Sequence, residues 1–179
     1  VNYKPLSSYK KEEFEIDGHQ ARAYDIPNNP SDITGGYIIK NEMISRISED
    51  SYFSTSMGCF DCESPKFMTR DCAEYLYDYF DNIYACLDDF NEVSKYLDIN
   101  SFVKRYLIQE CFANCEGSSY YYIKNSDSID DKLYAGPVWD FDNSLGRGDA
   151  TSPTGIYSGE GIFGCLLQHK EFSELVRHT

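Results

Sequence analysis

The chain of 179 residues has the length of one compact domain and is long enough to bury a sizeable core. Sixteen Lys and Arg against thirty Asp and Glu give a net charge of −14, which removes nucleic acid and anionic membrane as default partners because little is available to neutralise phosphate. With 41% hydrophobic and 16% aromatic residues the chain is too apolar for a disordered acidic segment, so a folded domain with an acidic surface is expected.

Residues 1–34 are polar and carry NNPSD after Ile26-Pro27, which reads as loop with at most one short strand. The first twenty residues lack an apolar signal core, and no apolar run approaches the roughly 18 residues of a membrane span, so no membrane insertion is expected. A start at Val1 rather than Met reads as a piece cut from a longer protein. From Gly35 the text changes. GGYIIKNEMI, SYFSTS and CFDCES are short β-branched and aromatic runs bounded by Gly, Ser and Pro, and they predict a strand meander.

After Pro65, apolar residues recur at three- and four-residue steps from Cys72 through Leu76, Phe80, Ile83 and Leu87 to Phe90, predicting one helix that starts near Thr69 or Asp71. A second helix follows from N-cap chemistry at residues 98–101, with Phe102, Val103, Tyr106, Leu107 and Phe112 on its apolar face and an end before Gly117. SYYYIK reads as a strand, NSDSIDDK as an acidic turn, and LYAGPVWDFD as the returning strand of a hairpin. Residues 143–161 form a long Gly-rich loop, and one or two short helices close the chain.

Seven cysteines (59, 62, 72, 86, 111, 115 and 165) form an odd set, so they cannot all pair internally. Cys59 and Cys62 make a lone CxxC, and the three His lie near the two ends, so a zinc site lacks two ligands and buried free thiols are expected. That usage suits a reducing or anaerobic setting.

The chemistry concentrates in WDFD. In an extended segment Asp140 and Asp142 project to one face, where both carboxylates can meet one hard cation such as Mg²⁺ or Mn²⁺. The bland alternative is a turn pair capping backbone N–H groups. Trp139, beside Gly-Pro and between strands, reads as a packing residue, with stacking on a base or a sugar as the alternative.

The stretch SFVKRYLIQECFANCEGSSYYYIKNSDSIDDKLYAGPVWDFDNSLG resembles the central signature of the CotH kinase family, the spore-coat protein H-like atypical kinases. Its order of parts is similar too: a helix, an Asn-x-Asp turn, a strand with Ser and aromatics, and a hairpin to G-P-x-W-D-x-D. The likeness reaches upstream through Gly35-Gly36-Tyr37, Phe53-Ser54-Thr55 and Ser64-Pro65, and covers about residues 34–177.

The resemblance implies an α+β, protein-kinase-like fold, mainly its C-terminal lobe with the last strands of the N-lobe. Residues 35–179 would be the CotH kinase-like domain, and residues 1–34 an irregular segment left from a longer N-lobe. It further implies ATP with Mg²⁺ or Mn²⁺ as cofactors, a basic or Ser-rich protein substrate, and a spore-coat or cell-surface setting. Asp140 maps to the metal-binding Asp that bridges ATP phosphates, with Asp142 as its companion, Asn114 orienting the Asn-x-Asp turn, and Glu116 as general base. Glu116 stands where the family pattern has Asp, and Lys40 where relatives often carry an acidic residue. The alternative is a catalytically degenerate relative that acts as a surface or cell-envelope interaction module.

Overall fold

Asp17 and Gly18, at φ 50° and 82°, form the tight turn that joins β1 (Lys11–Ile16) to β2 (His19–Tyr24). The computed structural model describes residues 8–26, 31–47, 50–114, 120–142, 144–145, 159 and 161–179. Where the sequence reads as loop with at most one short strand, residues 11–24 thus make a full hairpin, and β2 pairs with β4 (Tyr52–Thr55).

β3 (Tyr37–Asn41), β5 (Gly58–Ser64), β6 (Tyr121–Lys124) and β7 (Leu133–Ala135) complete one seven-stranded sheet in the order β1-β2-β4-β5-β3-β6-β7. All neighbouring strands run antiparallel. The three runs after Gly35 are strands as expected, but not a meander, because β3 lies between β5 and β6.

The helices pack on one face of this sheet. α1 (Arg70–Ala85) turns Leu76, Phe80 and Ile83 toward β2 and β4, and Phe53, Phe60 and Tyr122 meet Phe80 ring to ring. The single long helix expected from Cys72 to Phe90 is two: α1 ends at Cys86, and α2 (Phe90–Tyr96) starts from Asp89, whose carboxylate accepts the Asn91 and Glu92 N–H groups. α3 (Ile99–Cys111) is capped by Asp98 through Ser101 N–H, and packs on α5 (Lys170–His178) and β7. α4 (Gly161–Leu166) buries Phe163 against Phe102 and Tyr106. The result is an α+β fold with five helices among the described residues.

The other sheet face carries one row of register partners: Glu13, Arg22, Tyr52, Asp61, Lys40 and Tyr121, each from the next strand across. Arg22 Nε bonds Glu13 Oε1 at 2.7 Å with its guanidinium over the Tyr52 ring, and Lys40 Nζ pairs with Glu42 Oε2 at 2.7 Å. Asp61 is the row's costly member. Only 7% exposed, its Oδ1 has no hydrogen-bond partner among the described residues. Burial, with Asp50 and Glu63 adding to it, pushes its carboxyl up to about 6, against the weaker opposing pull of Lys66 and Lys40.

Native Asp61 therefore keeps its proton to higher pH than the unfolded chain, whose ordinary value is 3.8. Its contribution to stability is fully present below the unfolded value and is lost as pH rises through about 6. Asp61→Asn should accordingly be near neutral at pH 3.5 and should stabilise the fold by roughly 1–3 kcal/mol at pH 8, read by urea unfolding at the two pH values. Equal effects at both would remove the burial argument.

Candidate active site

The β6–β7 hairpin delivers the chain to the WDFD segment. β7 ends at Ala135, and although Gly136 N–H still reaches Tyr121 O at 2.9 Å, Gly136 sits at φ 142° and the Gly136-Pro137 peptide is cis. The returning strand expected over LYAGPVWDFD thus stops after three residues, because proline supplies no ladder donor and the glycine turns the backbone away. Residues 136–142 are irregular, with Asp140 in the left-handed region at φ 61°. The strand alternation expected to place both carboxylates on one face does not apply here. Both side chains are nonetheless solvent-exposed.

What holds this segment is the end of α3. Asn114, fully buried, donates from Nδ2 to the Asp140 carbonyl at 3.2 Å and to Gln109 Oε1 at 3.3 Å, while its own N–H bonds Gln109 O at 3.0 Å. Two of the residues singled out from sequence are therefore joined directly. A second tie runs from Leu145 N–H to Phe112 O at 2.8 Å, and Phe141 packs edge-on against Phe112 with the Arg105 guanidinium 5.5 Å from its ring. Ser144 Oγ closes the turn on Phe141 O at 2.6 Å. Arg105 also lies over Tyr120 at 5.7 Å, and its burial pulls the guanidinium pKa down. Phe141 is thus the packing anchor between two outward carboxylates.

Glu116, expected as the base, lies outside the described residues, as do Asn143 and Gly146. Asn114, the residue bonded to Asp140, stands two residues before Glu116 in sequence.

Trp139 corrects an expectation. It is 60% exposed and touches the Tyr121 ring edge-on at 6.3 Å, so it is not a core residue. Sequence placed it between strands; with no strand there, nothing covers its outer face among the described residues. Lys40 Nζ lies 5.9 Å from the other partner of this contact, the Tyr121 ring. The Tyr121 phenol is raised chiefly by burial and also feels the charges of Lys40 and Asp140. Trp139 and Lys40 thus both lie against Tyr121 at the sheet's open face, a grouping that needs the β3–β6 pairing and that no local signal in the sequence announces.

Among the described residues no three His, Cys, Asp or Glu side chains converge as a ready metal cage. Two exposed carboxylates on a turn fixed from behind are a different donor set. They fit Mg²⁺ or Mn²⁺, which bind through one or two carboxylates and complete their shell with water and phosphate oxygens. The Cys59–Cys62 CxxC is not a zinc clip, because the two are an odd number of residues apart on β5 and so face opposite ways, and all six described cysteines are free thiols.

A family model described as CotH kinase protein matches residues 35–179. No curated protein matches the chain.

Proposed function

Because the chain belongs to the CotH kinase family, we propose that its kinase-like function is metal-dependent transfer of the ATP γ-phosphoryl group to a protein Ser or Thr. The single observation that best supports this reading is the Asn114–Asp140 bond, which links the turn leading to Glu116 with the turn bearing both carboxylates. Phosphoryl transfer asks for positioning and charge neutralisation rather than covalent chemistry; a pair of hard oxygen donors on a fixed turn suits the second demand, and the bonded Asn114 stands two residues before the acid–base candidate in sequence.

Asp140 and Asp142 would hold the divalent ion, which when bound neutralises phosphate oxygens. Asn114 fixes the Asp140 carbonyl and so the direction in which its carboxylate leaves the turn. Glu116 takes the proton of the attacking hydroxyl. Trp139 offers an exposed aromatic face next to Asp140 on which the nucleotide base can stack. Trp139→Ala should cost less than about 1 kcal/mol of unfolding free energy, as for an exposed side chain, while weakening nucleotide affinity on the order of tenfold. A loss of 3 kcal/mol or more in urea unfolding would restore the packing role.

In lobe terms, residues 35–179 are read as mainly the C-terminal lobe with the last strands of the N-lobe, and the acidic surface favours a basic or Ser-rich polypeptide as acceptor.

The test uses the full-length gene product with ATP and either Mg²⁺ or Mn²⁺. Transfer of labelled phosphate to itself or to a Ser-rich basic peptide is expected, and Glu116→Gln should abolish it with ATP affinity unchanged within about twofold, since a base acts in the transition state. One observation favours a second reading: Glu116 is one methylene longer than the family's Asp, and displacements near 1 Å cost on the order of 100-fold. Should the full-length protein bind no ATP and phosphorylate nothing, the interaction-module reading replaces the kinase.

A further inference from the structure

Three sulfur-bearing side chains from separate elements share the core behind the sheet's central strands. Cys62 on β5, Met68 in the β5–α1 connection and Cys72 in the first turn of α1 are each at most 2% exposed. Cys62 Sγ lies 3.4 Å from Met68 Sδ. Cys72 acts electrostatically on the Cys62 thiol, and Thr69 Oγ1 donates to the Cys72 sulfur at 3.3 Å.

The positions are held by backbone rather than by side-chain packing alone. Ser51, itself fully buried, grips two of the three donors: its carbonyl accepts Cys62 N–H at 2.9 Å and its Oγ accepts Met68 N–H at 2.9 Å. The Met68 carbonyl in turn accepts Tyr24 N–H at 2.8 Å. A cavity of about 420 Å³, walled by Gly35, Gly36, Pro65 and Thr69, is lined also by Met68 and Cys72, so two of the three residues border a path from outside.

We propose that Cys62, Met68 and Cys72 form a site for one soft monovalent cation, Cu(I). Two sulfurs 3.4 Å apart can both touch one ion at the roughly 2.3 Å of a metal–thiolate bond. Thiolate and thioether together, without oxygen or imidazole, suit Cu(I), and three sulfurs fall short of the four ligands of a structural Zn²⁺ site. The exchange balances without electron transfer: one thiol S–H breaks heterolytically, an S–Cu bond forms, and the proton goes to solvent. The resulting thiolate–copper unit is neutral, which suits a dry interior, while the other two sulfurs contribute lone pairs.

The protein as it stands is titrated anaerobically with Cu(I) against a colorimetric Cu(I) chelator. One equivalent should be withheld, with affinity rising about tenfold per pH unit as the single proton is displaced. Met68→Leu, which conserves volume and keeps the fold, should weaken binding at least tenfold, and Cys62→Ala should abolish it. Cys59→Ser and Cys111→Ser, whose thiols lie outside the cluster, should change nothing. If Met68→Leu holds Cu(I) as tightly as the parent, or the parent withholds none from the chelator, the three sulfurs are core packing and the proposal fails. If Cys62→Ala does not fold, the Met68→Leu comparison alone decides.

Discussion

Asp140→Asn should remove Mg²⁺- and Mn²⁺-dependent behaviour while leaving the fold intact. The substitution isolates the carboxylate, because Asp140 sits at φ 61° and Asn tolerates the left-handed region as well as Asp does. The bond from Asn114 goes to the Asp140 backbone carbonyl, so it survives the change. In the parent protein, metal at 100 times its Kd should raise stability by about 2.7 kcal/mol, and in the variant this increment should vanish. Phosphate transfer by the full-length protein should fall on the order of 1,000-fold, since charge neutralisation by a bound ion is worth several kcal/mol and each 1.36 kcal/mol is a factor of ten. Asp140→Ala would do the same and also strain the turn by about 1 kcal/mol, which gives an internal control. Melting curves of the parent that are identical with and without metal would remove Asp140 from the metal role.

How much of this was legible depends on whether the deciding interaction is local. α3 is written into residues 98–112 because its cap, Asp98 to Ser101 N–H, and its apolar spacing all fall within a few turns. The break between α1 and α2 hides because Leu87 in the intervening turn is also buried, so the apolar rhythm runs straight through it. The first hairpin hides for the opposite reason. β1 is a sheet edge, its residues Lys11, Glu12, Glu13 and Glu15 keep that edge charged, and the polar text masks the Asp17-Gly18 turn signal. At the site, the D-x-D spacing and the resemblance to the CotH signature single out Asp140 and Asp142, although the extended backbone that the spacing argument assumes is absent. That Asn114 holds them from 26 residues away, and that Trp139 faces solvent beside a residue of β6, follow only from how α3 and β6 are placed.

Phe80→Ala should cost roughly 3–5 kcal/mol, enough to threaten folding of a domain whose total stability is on the order of 5–15 kcal/mol. Phe80 is fully buried and joins α1 to three strands at once, with ring centroids 5.3 Å from Phe53 on β4, 4.5 Å from Phe60 on β5 and 6.0 Å from Tyr122 on β6. Phe53 and Phe60 are themselves stacked at 5.3 Å, so a cavity beneath them has no single side chain able to close it. The strands that would loosen include β6, which carries Tyr121 beneath Trp139 and leads through β7 to the carboxylate turn. Stability and site geometry should therefore be lost together, unlike Asp140→Asn, which separates them. Phe80→Leu, which refills most of the volume, should cost about 1–2 kcal/mol. Urea unfolding of both variants decides the matter. An alanine variant within 1 kcal/mol of the parent would mean that α1 does not depend on this ring, and that the sheet is held by contacts elsewhere.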